Sequence, residues 1–250
     1  MANWGQYFCN VNHKLSSILV DLNLKDLLPD HNRENLIWIW IYMQSPRADG
    51  LSSNEEFETL NAIEDALTKR VEEDCGACLA GRITGDGRRE FYYYGRRPLN
   101  LHRLAEEELA TFPGYLFDCD TQPDPGWSQY LDVLYPTEEN YQLIKNMAVL
   151  EALENAGDEA DIIRPVWHYV VFDSDDRRKR FIDWSQENGF VPTDRVRSNA
   201  PGELDPGMVC VVRSQSTRPD EIDNYVLKVF GAAKQFGGDY DGWETRVEKR

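Results

Sequence analysis

The spacing of apolar residues along this chain switches between a period of two and a period near 3.6, and each switch marks a change of element. Residues 16–21 and 35–42 have strand character. In the second, Ile37, Ile39 and Ile41 alternate with Trp38, Trp40 and Tyr42. Both faces of that segment are apolar, which places it centrally in a sheet. A helical stripe follows at Phe57, Leu60, Ile63, Leu67 and Val71, opened by Ser52 and Glu55 at capping-box spacing. Residues 78–84 and 89–94 are the next two strands, joined by Gly85-Asp86-Gly87 as a hairpin loop. A second helix begins near Asn100, carries Leu101, Leu104, Glu108 and Phe112 on one side, and stops at Pro113-Gly114. Residues 115–119 supply a last strand.

The C-terminal part repeats this order. Residues 166–172 form a strand, and Ser174 caps a helix that ends at Gly189. Residues 190–197 and 208–213 make a strand pair around a Pro/Gly loop. Thr217 caps a helix carrying Ile222, Val226, Val229 and Phe236, stopped by Gly237-Gly238, and residues 240–247 close the series. Strand–helix–strand–strand–helix–strand is the order of a split βαβ sandwich. The expected class is therefore α+β, with two ferredoxin-like (βαββαβ) sandwich domains joined by a connector helix. One domain covers 1–157, including that connector, and the other covers 160–250. The connector carries Tyr141, Ile144, Ala148 and Leu153, ends at Gly157, and is too amphipathic to hang free; 158–164 is the expected linker.

Charge sharpens the division. The chain carries 27 basic and 44 acidic residues, a net of −17. Residues 1–159 hold 13 basic and 28 acidic residues, a net of −15, whereas 160–250 are nearly neutral at −2. An N-terminal part this acidic repels phosphate backbones, so direct nucleic-acid binding is not expected there. At 41% hydrophobic and 28% charged, the composition is that of a globular protein. The longest apolar run, 36–43, is too short to span a bilayer, and no signal peptide is read at the N-terminus. Five scattered cysteines point to reduced thiols and a cytoplasmic setting.

The candidate catalytic and metal-binding motifs of the chain do not assemble into sites. Cys75-Gly76-Ala77-Cys78 follows a helix and leads into a strand, the reverse of a redox CxxC, and it lacks the two further ligands of a zinc site. Asp118, Asp120 and Asp124 fail the calcium-loop pattern and are read as solvated loop acids. The basic run Arg177-Arg178-Lys179-Arg180 is balanced by Asp173, Asp175 and Asp176 and is read as a solvated helix face. At least one of Tyr92, Tyr93 and Tyr94 is expected to point away from the core. No catalytic residue, cofactor site or metal site is assigned.

The last strand carries the most specific motif, Asp239, Tyr240, Asp241, Gly242 and Trp243, after the small-residue turn Gly237-Gly238. With the opening strand His168 to Phe172, the acidic helix start Ser174-Asp175-Asp176, and Pro206-Gly207-Met208-Val209-Cys210, it resembles the RraB family of ribonuclease E regulators over 160–250. That resemblance implies a non-catalytic protein that restrains an RNase E-type endoribonuclease by protein contact. The motif serves packing or partner contact. Residues 1–155 resemble a domain-of-unknown-function family often fused ahead of an RraB-like domain, on Gly50-Leu51, the 81–94 hairpin, Trp127 to Tyr130 and Tyr135-Pro136-Thr137. The rival reading is a small-molecule enzyme with an interdomain cleft, using Asp239, Asp241 or His168 as acid and base. A third is a structural or assembly module.

Overall fold

Ile37, Ile39 and Ile41 project from β3 (Asn35–Tyr42) into a solvent-free core, and β3 lies between β5 (Arg88–Gly95) and β6 (Leu116–Pro123). The central placement expected from its two apolar faces is the observed one. The computed structural model describes residues 2–195 and 207–249. The chain forms two units that divide between Thr137 and Glu138.

The first unit is an antiparallel six-stranded sheet in the order β1-β2-β4-β5-β3-β6. β4 spans Cys78–Gly85, and β1 (Trp4–Val11) pairs with β2 (Lys14–Asp21). β1 was not expected from the sequence. Its hairpin turns at Asn12-His13, both with positive φ, as a two-residue I′-like turn without glycine. The β4–β5 loop is likewise only Asp86-Gly87, because Gly85 already pairs with Arg88. Helices α1 (Asn54–Cys75) and α2 (Leu101–Leu109) pack on one face. Ser53, not Ser52, holds the N-cap position of α1, and its hydroxyl makes no capping bond. The buried stripe of α1 is Leu60, Ile63, Leu67 and Val71, and Phe57 stays exposed.

The opposite face is covered by the segment after β6, where a π-helical turn spans Gln129–Leu134. Trp127 stacks on Tyr94 with ring centroids 3.9 Å apart. The Tyr130 hydroxyl donates to the Asp21 carbonyl, and the Tyr7 hydroxyl donates to that of Leu134. This second cover corrects the expectation for the three tyrosines: Tyr92, Tyr93 and Tyr94 are all buried, because both sides of β5 are packed.

The second unit is a four-stranded antiparallel sheet in the order β10-β7-β9-β8. β7 is Arg164–Val171, β8 Val191–Thr193, β9 Met208–Gln215 and β10 Asp239–Thr245. Helices α4 (Asp175–Glu187) and α5 (Pro219–Phe236) bury Phe181, Val229, Ala232 and Ala233 against Val170, Val209 and Val211. The strand expected over 190–197 is observed only at Val191–Thr193, with Asp194 and Arg195 already outside it, while 196–197 and the loop as far as 206 lie outside the described residues. Pro219 opens α5 after Arg218, so Thr217 is not its cap.

The connector helix α3 (Glu138–Asn155) clusters with this second unit, which begins at Glu138. Its Val149, Leu150 and Leu153 pack on Val166, Ile222, Val226 and Trp243. The stretch 158–164 is not a tether. Arg164 and Asp158 form a buried two-pronged ion pair whose second bond is 2.9 Å. Arg164 also donates to Thr217 Oγ1 at 2.7 Å, and Asp158 accepts from the Glu248 amide at 2.8 Å. A buried charge pair with this many hydrogen bonds ties the start of β7, the start of α5 and the chain end together. Redrawn at this boundary, 1–137 carry 12 basic and 22 acidic residues, and 138–250 carry 15 and 22, nets of −10 and −7. The acidity is therefore shared between the units.

Candidate functional site

The Tyr-Asp-Gly-Trp motif is a β-bulge. β10 pairs Tyr240 with Val170 and Gly242 with Tyr169, so Asp241 is the extra residue. Gly242 sits at φ +112, in backbone space that a side chain disfavours. The extra residue shifts the alternation by one. Tyr240 and Trp243, three apart, now both join the apolar cluster beneath the helices, whereas a regular strand would send them to opposite faces. Asp239 and Asp241 are exposed, and Glu244 turns to the other side of the sheet. There Glu244 accepts from the Tyr169 hydroxyl at 2.6 Å and from Arg195 Nε at 2.9 Å, while the Arg195 guanidinium lies 3.9 Å over the Trp167 ring.

Trp243 is buried, and its indole Nε1 donates to Asn146 Oδ1 at 2.9 Å. Asn146 Nδ2 in turn donates to Asp223 Oδ1, also at 2.9 Å. Burial pushes the Asp223 carboxyl above its ordinary range, partly opposed by the bond from Asn146. This chain of bonds clamps α3 to β10 and α5. Gln142 and Asn146, both buried, stand at helical spacing with Val149 and Leu153, so the polar half of one packed stripe carries the clamp. Their polarity hides them from an apolar pattern; the signal in the sequence is two amides that continue an apolar stripe at spacings of four, three and four. Beside the clamp, a groove of about 280 Å³ is lined by Lys145, Asn146, Tyr240, Asp241, Gly242 and Trp243, among others.

His168 lies behind this surface, fully buried, with Nδ1 2.9 Å from the Tyr240 hydroxyl. Burial pulls its pKa down to about 3, which keeps the ring neutral. The three residues named for the enzyme reading are thus separated: Asp239 and Asp241 face solvent, and His168 is in the core.

The other candidate motifs resolve into structure. Gly76 ends α1 in the left-handed region, and burial pushes the Cys75 thiol up and the Cys78 thiol to about 11, opposite to an activated redox pair. Asp118 and Asp120 are exposed on β6. Asp124 is not a solvated acid: it is buried and accepts from the Tyr94 hydroxyl at 2.5 Å, from the Ser128 amide and hydroxyl, and from the Gln129 amide. Burial opposes its charge, but those bonds outweigh it and hold the carboxyl below its ordinary range. Arg177 and Arg178 pair with Asp173 and Asp175 on the surface of α4. Among the described residues, no group of three or more His, Cys, Asp or Glu is placed to hold a metal ion, and no helix is long and apolar enough to cross a membrane.

Two family models match the chain. The family of unknown function DUF695 matches residues 2–135, and Regulator of ribonuclease activity B (RraB) matches residues 143–245. The second match begins inside α3 and ends at the last residue of β10, so it includes the clamp. No curated protein matches. A crystal structure of an unknown protein from Galdieria sulphuraria is similar over 86% of this chain and 99% of its own, at 10% identity and a TM-score of 0.22.

Proposed function

The chain belongs to the DUF695 family, a family of unknown function, and we propose from its second family match that it is a non-catalytic regulator whose second unit restrains an RNase E-type endoribonuclease by protein contact. The observation that carries the proposal is the match of 143–245 to the regulator of ribonuclease activity B, over a span that takes in nearly all of one folded unit. Asp239 and Asp241, exposed at the bulge beside the groove, are the residues offered to the partner. Tyr240, Gly242 and Trp243 hold that surface in shape. The net charge of −7 on residues 138–250 favours a basic patch on the ribonuclease and disfavours direct contact with RNA. Five free thiols, two of them buried, suit a reducing cytoplasm.

The test is a binding titration of the full chain against a purified RNase E-type enzyme from the same organism, followed by biolayer interferometry. Saturable binding that weakens at least fivefold in an Asp239→Lys/Asp241→Lys variant with an unchanged melting temperature is the expected result. No binding at any concentration removes the regulator reading. Binding indifferent to the two charges removes the assignment of the surface.

A further inference from the structure

The six-stranded sheet of the first unit is wider than its helix layer. α1 and α2 bury a cluster drawn from β3, β4 and β5, with Phe117 and Cys119 of β6 packed against it, and the described residues of that cluster include none from β1 or β2. The side of β1 and β2 that faces the same way is identified by register. Leu19 pairs with Arg82, which bonds to Glu64 of α1, and Gln6 pairs with Leu19 and bonds to Ser17. On that side Trp4 is 42% exposed and Phe8 47% exposed. Trp4, Leu19 and Leu79 floor an open groove of about 640 Å³. Its wall is one stripe of α1, with Asp65, Thr68, Lys69 and Glu72 at helical spacing and Glu64 and Glu73 beside them. Glu64 is engaged by Arg82 and Arg89, which leaves Asp65, Glu72 and Glu73 against Lys69.

The dimensions select the occupant. Two adjacent strands span about 10 Å, and eight residues of strand run about 27 Å. An α-helix with its side chains is about 10–12 Å across, and about 18 residues of it cover the same length. The missing width is that of one helix, lying where a third helix of the layer would lie. A strand added to β1 would widen the sheet and leave the groove unfilled. The acidic wall repels nucleic acid and attracts cations. We infer that this groove docks an amphipathic helix of a protein partner, with an apolar stripe on Trp4, Leu19 and Leu79 and a basic flank against Asp65, Glu72 and Glu73. The inference concerns the first unit alone and does not depend on the ribonuclease reading.

The test uses the full chain and three fluorescein-labelled 18-residue peptides: one with a leucine stripe and lysine flank, one with the same stripe and a glutamate flank, and a scramble of the first. Fluorescence anisotropy should show the lysine peptide binding at least tenfold more tightly than either other. Glu72→Lys/Glu73→Lys should reverse the preference toward the glutamate peptide, and Trp4→Ala should weaken both at least threefold; all these residues are exposed, so melting temperatures should hold. Equal affinity for the three peptides, no binding of any, or a lysine preference that survives the charge reversal overturns the inference. So does sedimentation showing a dimer that Trp4→Ala dissolves, which would make a second copy the occupant.

Discussion

Replacing Trp243 separates a packing role for the family motif from a partner-contact role. The indole is buried among Val166, Ile222 and Val226, and its N–H is the donor that Asn146 Oδ1 receives. Truncation to alanine removes a core ring, which costs about 3–5 kcal/mol. It also strands the oxygen of an asparagine that is only 2% exposed, worth about 1–3 kcal/mol where the site cannot rewet. The two overlap because one substitution causes both, so the expected loss is about 4 kcal/mol. That is about a quarter or more of the stability of an ordinary domain. Trp243→Phe keeps most of the packing and loses the donor, so about 1–3 kcal/mol should go. Asn146→Leu should cost a similar amount, and the double variant should cost at least about 1 kcal/mol less than the sum, because the two share one bond. Urea unfolding of the full chain at constant pH, followed by far-UV circular dichroism, gives each value. A Trp243→Ala protein within about 1 kcal/mol of wild type that no longer binds the ribonuclease would refute the reasoning and make the ring a partner contact.

Three further outcomes follow from the same geometry. Gly242→Val should lower stability by at least about 1 kcal/mol, since a β-branched residue at φ +112 is strained, and Asp239→Val, exposed on the same strand, should change it by less than half as much; comparing their melting curves checks this. Asp158→Ala leaves Arg164 charged and buried, so it should cost about 3–5 kcal/mol, while Asp158→Leu/Arg164→Met should recover much of the loss; urea midpoints decide between them. His168 must stay neutral in the fold, with its pKa lowered to about 3, while the unfolded chain binds a proton near pH 6.5. Its contribution is complete above pH 6.5 and is lost as pH falls toward 3. His168→Gln should therefore show a shallower decline in stability between pH 6.5 and 4 than wild type, and equal slopes would show that the ring is not held neutral.

The order of elements was legible because each strand and helix carries its own period, as in Ile37, Ile39 and Ile41 or in Leu60, Ile63, Leu67 and Val71. What escaped depended on contacts distant in sequence. β1 has little apolar alternation of its own and exists because β2 pairs with it through the Asn12-His13 turn. The stretch 158–164 reads as a linker because it is short and polar, yet its charges meet partners at Thr217 and Glu248. The closing motif was visible as a string of residues, but its purpose was not: spacing alone puts Tyr240 and Trp243 on opposite faces, and only the pairing register with β7 reveals the bulge. Asp124 was read with its exposed neighbours Asp118 and Asp120 because nothing local marks it as the acceptor for Tyr94 and Ser128.

The most direct measurement of the central claim is the initial rate at which a purified RNase E-type endoribonuclease cleaves a 5′-monophosphorylated RNA as the chain is titrated in. The account predicts a saturable fall in rate that follows occupancy of the enzyme by the chain, no cleavage by the chain alone, and relief of inhibition in Asp239→Lys/Asp241→Lys. A rate unchanged at every concentration against the enzyme of the same organism would contradict it.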